Sequence, residues 1–431
     1  MSDARDFYAN ETWTAGIIGL GYVGLPLAVT AISGGLRVIG FDVDDAYVTR
    51  LRSGDSPIED ITDAQLGAAL DAGMELTADV ERLREADAVF ICVPSPLGRN
   101  REPDLSYIRS AADMVRQIAH PRMLVSLEST TYPGTTEDII VPAVTEGGLA
   151  LDEDVWVAFS PERVSPGDDL KTVDIPKVVG GVTPESTAVA VAAYERLVSS
   201  VHPVASASAA EMAKLLENTY RAVNIGLANE MSQLADALGI DIWEVIDAAA
   251  TKPFGFQAFY PGPGVGGHCI PLDPQFLAWR AREANFAIRF IDLAEQINIG
   301  QPIYTANRIA SVINEQRLPV YGTEILAVGI AYKPNIADDR ESASIDVLRE
   351  LEAHGAIISV LDPVVGSDRI EHHGFRSVSA DDDLSRFAVA VILTDHDAID
   401  YAALAAAVPV VFDARGTYRR RGIAADNVVA L

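Results

Sequence analysis

The chain has 431 residues, and its 33 Lys and Arg against 62 Asp and Glu leave a formal net charge of −29, which repels nucleic-acid backbones and anionic membranes as partners. Apolar residues at 49% and charged residues at 22% exclude wholesale disorder, and roughly 100–200 residues per domain gives two or three domains. Two cysteines, Cys92 and Cys269, exclude a disulfide framework and a cysteine-held metal cluster, so no metal is expected and a reducing cytosol fits.

With a pI near 4.5 and only five lysines, the chain has either a halophile-type acidic surface or the imprint of a high-GC codon bias. An anionic ligand must then be held by local donors such as helix N-termini and a few buried cations. Residues 12–36 carry no charge, but six glycines and Pro26 in the run rule out a membrane span. Asp3, Asp6 and Glu11 before it do not fit the basic start of a signal peptide.

In chain order, apolar runs at 15–19, 37–42, 88–93, 123–127 and 156–159 alternate with amphipathic stretches and predict buried parallel strands separated by helices. From about Ser206 to Leu238 one long helix is expected, followed by a second helical group ending near Val312. Strands resume at 324–329, 356–361, 389–393 and 410–413. The expected class is α/β: two doubly wound, Rossmann-like parallel-sheet domains joined by a long central helix and a helical middle domain. The boundaries are drawn at 1–204, 205–315 and 316–431.

Gly19-Leu-Gly21-Tyr-Val-Gly24 follows the first expected strand and opens a helix, the context in which this pattern cradles a pyrophosphate. Asp42 ends the next strand, 18 residues after Gly24, where an acid accepts the adenosine ribose hydroxyls. With Asp44 and Asp45 beside it, a 2′-phosphate meets several negative charges, so NAD is favoured over NADP. Lys214 and Asn218, four apart, share a helix face and can stabilise an oxyanion, although solvated lysines on amphipathic helices are commonplace.

Tyr260-Pro-Gly262-Pro-Gly264-Val-Gly266-Gly267-His268-Cys269 carries four glycines ahead of a thiol. Their N–H groups are expected to grip a ligand against Cys269, a nucleophile if its thiolate is favoured. Asp273, one helical turn on, can act as base or hold a water. His268 is a weaker base candidate, since sequence neighbours usually point apart. Cys92, inside an apolar run, is expected to be a packing residue.

Glu162 and Arg163 follow a strand end, as an acid/base group with an anion clamp or as a surface ion pair. Tyr332 and Lys333, with Asp338 to Ser342, occupy the matching place in the last domain, where an aromatic and two cations suit a second nucleotide.

The stretches GLGYVGLPLA, ESTTYPGTTED, FSPERVSPGD, AEMAKLLENTYRA, FYPGPGVGGHCIPLDP and AYKPNIADDRES, in this order, resemble the UDP-glucose/GDP-mannose dehydrogenase family over nearly the whole chain. Within it, FSPERVSPG, HCIPLDPQFLAWRARE and IRFIDLAEQIN are most similar to the branch that oxidises UDP-N-acetylglucosamine. The resemblance implies a four-electron oxidation of a UDP-sugar C6 alcohol to a carboxylate with two NAD reduced in turn. Cys269 would form a thiohemiacetal and then a thioester.

By the same resemblance, Lys214 and Asn218 stabilise the oxyanion, Asp273 and Thr130 position or activate water, and Glu162 has acid/base duty. NAD contacts are implied for Gly19, Gly21, Tyr22, Val23, Gly24, Asp42, Val93, Pro94, Ser95, Thr130 and Arg340. Substrate contacts are implied for Glu162, Arg163, Lys214, Asn218, Tyr260, Gly262, Val265, Gly266, Tyr332 and Lys333. The family also implies a homodimer or higher homo-oligomer formed through the middle helices. Arg163-Val-Ser-Pro166-Gly167 and Leu272 depart from the UDP-glucose branch and point away from glucose.

Two rival classes remain. A two-electron β-hydroxyacid dehydrogenase also pairs a glycine-rich NAD domain with a Lys/Asn helix, but needs neither a nucleophilic cysteine nor a second nucleotide domain. A non-catalytic NAD sensor has no use for a thiol, an acid and a Lys/Asn pair together.

Overall fold

The computed structural model describes residues 2–58, 60–98, 100–163, 172–267 and 269–431. It divides into two compact units, the first of residues 1–217 and 275–286, the second of residues 218–274 and 287–431. The first division falls inside one continuous helix, Ala207–Leu238, close to the 206–238 expected.

The first unit is built on an eight-stranded sheet of β1 (Thr14–Ile18), β2 (Arg37–Phe41), β3 (Glu75–Thr77), β4 (Ala88–Ile91), β5 (Met123–Leu127), β6 (Val155–Phe159), β7 (Lys177–Gly181) and β8 (Val201–Pro203). The spatial order is β3-β2-β1-β4-β5-β6-β7-β8. All five residues of β1, β5 and β6 are buried, which is why these strands read as apolar runs interrupted only by Thr14 and Ser126: helices cover both faces. The sheet is mixed, because β7 runs antiparallel to β6. An all-parallel first sheet is therefore corrected. A Cβ at Gly180 or Gly181 of β7 would collide with the backbone of Ser206 or of Ser186 and Thr187, so glycine is required at both positions and the strand's sequence signal is weak.

The second unit carries a six-stranded sheet of β9 (Glu324–Val328), β10 (Ile357–Leu361), β11 (Arg376–Ser377), β12 (Val389–Ile392), β13 (Val411–Asp413) and β14 (Val428–Ala430). Its order, β11-β10-β9-β12-β13-β14, repeats the 3-2-1-4-5-6 arrangement of the first unit's leading strands, and every pair is parallel. In such sheets ligands bind beyond the carboxyl ends of the strands where the order reverses. That point lies between β1 and β4 in one unit and between β9 and β12 in the other.

Helix boundaries follow from local chemistry. Asp44 caps Asp45–Arg52 by accepting from Ala46 and Tyr47, Thr62 and Gln65 close a capping box, and Asp241 caps Ile242–Ala250. An N-terminal helix, Ser2–Asn10, is held by Tyr8, whose buried hydroxyl donates to the Asp87 carbonyl at 2.5 Å and accepts from Leu124 N–H at 3.0 Å. Among the described residues no helix is long and apolar enough to cross a membrane.

Candidate active site

The three glycines after β1 have three different jobs. Gly19 sits at φ +91° with the Cys92 carbonyl oxygen 2.8 Å from where a Cβ would be, so only glycine makes this turn. A Cβ at Gly24 would collide with the Gly19 carbonyl. At Gly21, in contrast, nothing lies within 4 Å, leaving bare backbone open to a ligand. No side chain caps the amino end of the following helix, Gly24–Ser33. Bare backbone and an uncapped helix end suit the pyrophosphate of NAD.

Asp42 follows β2. One carboxylate oxygen accepts from Leu20 N–H at 3.0 Å and the other from Asp44 N–H at 3.1 Å, which orients the acid while leaving lone pairs for ribose hydroxyls. Tyr47 donates to the Leu20 carbonyl at 2.9 Å, and burial, then the nearby Asp42 charge, pushes its phenol up to about 12. Tyr22 is half exposed, and Val93, Pro94 and Ser95 follow β4 on the other side of the switch point. Cys92 is buried beneath the glycine turn, and burial, then the Glu128 carboxylate, raises its thiol well above the ordinary range. It is a packing residue, as expected.

Glu162 lies just past β6. Its Oε1 accepts from Arg163 N–H at 2.7 Å and its Oε2 from Lys177 Nζ at 3.2 Å. Arg163 does not pair with it. The Arg163 guanidinium instead holds Glu217, at 2.7 and 3.1 Å, and the Pro176 carbonyl. Lys177 is almost fully buried and is also 2.5 Å from Glu128, whose other oxygen accepts from Tyr194 at 2.5 Å. Sequence reasoning missed Glu128 and Lys177 as site residues. The available signal was a lone lysine opening an apolar run in a chain with five lysines.

Lys214 Nζ donates to Thr130 Oγ1. One turn earlier, the buried Glu211 carboxylate accepts from Gly134 N–H at 2.6 Å, Thr136 N–H at 2.9 Å and Thr136 Oγ1 at 2.7 Å. Two side chains of the long helix thus fasten it to the loop that carries Thr130. Burial outweighs the three donors at Glu211 and pushes its carboxyl up to about 7.

In the second unit Cys269 is exposed. Its carbonyl accepts from Asp273 N–H at 2.8 Å, the helical turn that the four-residue spacing implied. Asp273 is buried, and Asn218 Nδ2 donates to its Oδ2 at 2.6 Å. Acid and amide are thereby joined, one helical turn along the chain from Cys269. The glycine loop works differently from expectation at two positions, because Gly262 N–H donates to Asn229 and Gly267 N–H to the Glu341 carbonyl. The glycines instead allow close approach: a Cβ at Gly264 would stand 2.7 Å from Ala343, and one at Gly267 3.0 Å from the Tyr332 ring. Gly266 lies against Glu341 in the same way, and Val265 is half-buried.

Tyr260 stacks on Trp243, with ring centroids 5.6 Å apart, and donates to Asp247 at 2.9 Å. Tyr332 and Lys333 follow β9, and the loop turns back where Tyr332 N–H donates to the Asp338 carbonyl at 2.9 Å. Arg340 pairs with Asp338 at 2.7 Å. Beneath them Asp362, after β10, accepts from four backbone N–H groups, those of Ile330, Ala331, Val364 and Val365, at 2.8–3.2 Å. The fully buried His396 accepts from Asn335 N–H at Nδ1, so its Nε2 is left to donate to Asp362. Burial alone would raise Asp362, but His396 and the backbone donors hold it below the usual carboxylate range. Neither Asp362 nor His396 was anticipated. His268 and residues 164–171, including Pro166 and Gly167, lie outside the described residues.

Comparison with known proteins gives this geometry its family. Residues 14–198 match the NAD binding domain of the UDP-glucose/GDP-mannose dehydrogenase family, 208–299 its central domain and 326–420 its UDP binding domain. The chain is 35% identical over 410 residues to Protein CapL of Staphylococcus aureus, covering 93% of this chain and 95% of that one. It is 33% identical over 359 residues to UDP-N-acetyl-D-glucosamine 6-dehydrogenase of Pseudomonas aeruginosa, covering 83% and 84%. A solved UDP-D-ManNAc dehydrogenase from Pyrococcus horikoshii superposes with a TM-score of 0.86 at 30% identity, covering 97% and 98%. The chain belongs to the UDP-glucose/GDP-mannose dehydrogenase family, whose members are NAD-dependent nucleotide-sugar dehydrogenases.

Proposed function

We propose that this chain oxidises the C6 alcohol of UDP-N-acetylglucosamine to the uronic acid through a covalent intermediate on Cys269. The observation that carries the reading is the exposed thiol one helical turn from a buried carboxylate that Asn218 holds. Bound NAD supplies a hydride acceptor for each of the two oxidations.

The first oxidation yields an aldehyde at C6. Cys269 adds to it as thiolate, forming a C–S bond while the oxygen takes up negative charge or a proton; the oxyanion is stabilised by Lys214 and Asn218. Loss of hydride from that carbon leaves a thioester. Water held by Asp273 and Thr130 attacks, Glu162 accepts one of its protons, and the C–S bond breaks to free the acid and regenerate the Cys269 thiolate. Gly19, Gly21, Tyr22, Val23, Gly24, Asp42, Val93, Pro94, Ser95, Thr130 and Arg340 hold the cofactor. Arg163, Tyr260, Gly262, Val265, Gly266, Tyr332 and Lys333 hold the UDP-sugar.

The segments 1–204, 205–315 and 316–431 serve as NAD, middle and UDP-sugar domains, a division supported by where the three family matches begin and end. The enzyme works in the cytoplasm as a homodimer or higher homo-oligomer. Support for self-association is an apolar groove of about 860 Å³ along the long helix, lined by Leu227, Met231, Leu234 and Leu238 with Phe256 and Phe259.

UDP-N-acetylmannosamine is the second reading, favoured by the name of the Pyrococcus structure, with UDP-glucose third. Turnover of the three sugars tests the order: the highest kcat/KM with UDP-N-acetylglucosamine is expected, and preference for either other sugar reassigns the substrate. Cys269→Ser should abolish steady-state turnover, because an alkoxide is harder to generate and an ester leaves more slowly than a thioester. Cys92→Ser should keep the chemistry at a stability cost of about 1–3 kcal/mol for a buried hydroxyl. Near-normal turnover by Cys269→Ser contradicts the mechanism.

A further inference from the structure

Lys177 is 3% exposed and lies between two carboxylates, Glu128 at 2.5 Å and Glu162 at 3.2 Å. A buried ammonium is expensive unless paired, and one partner already suffices to neutralise it. Glu128 is that partner: it is fully buried, nearer to Lys177, and its second oxygen is taken by Tyr194, which also shares a hydrogen bond with Ser126 at 2.8 Å. Glu162 is the half-buried one, with Arg163 N–H on its other oxygen. Burial pushes the Glu128 carboxyl up, opposed by Lys177 and the Tyr194 hydrogen bond; with both acids ionised the trio has two negative charges and one positive, and the member nearer to solvent is the one given acid/base duty.

We propose that Lys177 is a positioning residue that keeps Glu162 ionised and aimed, and that Glu128 limits how far it does so by sharing the same ammonium. The inference rests on the role given to Glu162 in the proposed function. Two physical effects oppose each other at Glu162. An ammonium within about 4–6 Å favours the carboxylate and lowers its pKa by about 1–3 units, whereas a second carboxylate across the site disfavours it. An acid held only by Lys177 would be a weaker base, and one beside Glu128 alone would be pushed toward its protonated form.

Other groups face the cluster. Cys92, after β4, senses Glu128, Lys177 and Glu162, and its raised thiol keeps it uncharged. Tyr194 comes from the helix Pro184–Tyr194, and burial, then Glu128, raises its phenol. The Arg163–Glu217 pair is internally neutral. Burial lowers Lys177, but its two carboxylates more than reverse this, so it stays charged.

The test uses opposite signs. The Glu162 titration is read as the infrared carboxyl difference between each protein and its Glu162→Gln counterpart, alongside the acidic limb of kcat/KM against pH. Lys177→Met should raise the Glu162 pKa, and with it the acidic limb, by about 1–3 units. Glu128→Gln, which keeps the volume and an acceptor for Tyr194, should lower both, and Lys177→Arg should restore most of the wild-type profile. Shifts of the same sign in Lys177→Met and Glu128→Gln, or no shift, overturn the inference. If Lys177→Met does not fold, Glu128→Gln alone decides, since an unmoved or raised titration contradicts it. Near-normal turnover by Glu162→Gln would remove the role of Glu162 instead, leaving the charge relation among the three residues to stand or fall on the infrared titration.

Discussion

The two sheets share the strand order 3-2-1-4-5-6, and each places an aspartate directly after its second strand, yet Asp42 and Asp362 are used in opposite ways. Asp42 is half-buried and receives two backbone N–H groups, one per oxygen. The side chain of Asp362 is fully buried and receives four, plus the edge of His396. The same topological position therefore supplies an acid with spare capacity for a ligand in one unit and a saturated lock for the β9 loop in the other. Topology says where a site can be, and the hydrogen-bond count says whether the acid there is available.

Substitution of the two aspartates should separate these uses. Asp362→Asn sets an amide donor against backbone N–H groups and leaves buried donors around it, His396 Nε2 among them, short of an acceptor, and should cost about 3–5 kcal/mol in urea unfolding. Asp42→Asn should cost about 1 kcal/mol. Its effect should fall on cofactor choice, since the wild type should disfavour NADP by about 1–3 kcal/mol through desolvation of a phosphate beside carboxylates. Asp42→Asn should narrow the ratio of kcat/KM for NAD over NADP. Equal destabilisation by both substitutions, or comparable use of NAD and NADP by the wild type, would break the comparison.

The units should also differ in their response to pH. Glu211, in the first, is raised from 4.5 to about 7, so the folded protein retains a proton that the unfolded chain releases. Its contribution is fully present below pH 4.5 and is lost as pH rises through 7, a fall of about 3 kcal/mol. Asp362, in the second, is held below the ordinary range. Its contribution is present above that range and lost only as pH falls into acid. Urea unfolding of the first unit at pH 5 and pH 8 should show the fall, and Glu211→Gln should flatten it. Equal stability of wild type at the two pH values would contradict the assignment.

Much of this organisation was legible in the sequence. Runs such as Met123–Leu127 are apolar but for Ser126 because both faces of the strand are buried, and the long helix showed itself by length. The glycine fingerprint and the Cys269/Asp273 spacing are local patterns, so their geometry followed from chain stereochemistry. β3, β8, β11 and β14 have only two or three residues each, too few to establish a period. Lys177 and Glu128 are 49 residues apart, and His396 and Asp362 are 34 apart. Partners at such separations meet only once the sheet has formed, and nothing in their immediate neighbours announces the pairing. The glycine loop misled in a different way: bare backbone suggested a grip on ligand, whereas at Gly267 it provides room for the Tyr332 ring.

The central claim is that an exposed cysteine in the second unit carries a four-electron oxidation, and counting NADH formed per UDP-N-acetylglucosamine consumed, with identification of the product, tests it most directly. The account expects two NADH and a C6 carboxylate. One NADH per sugar, with a free aldehyde or a ketone as the final product, would contradict it.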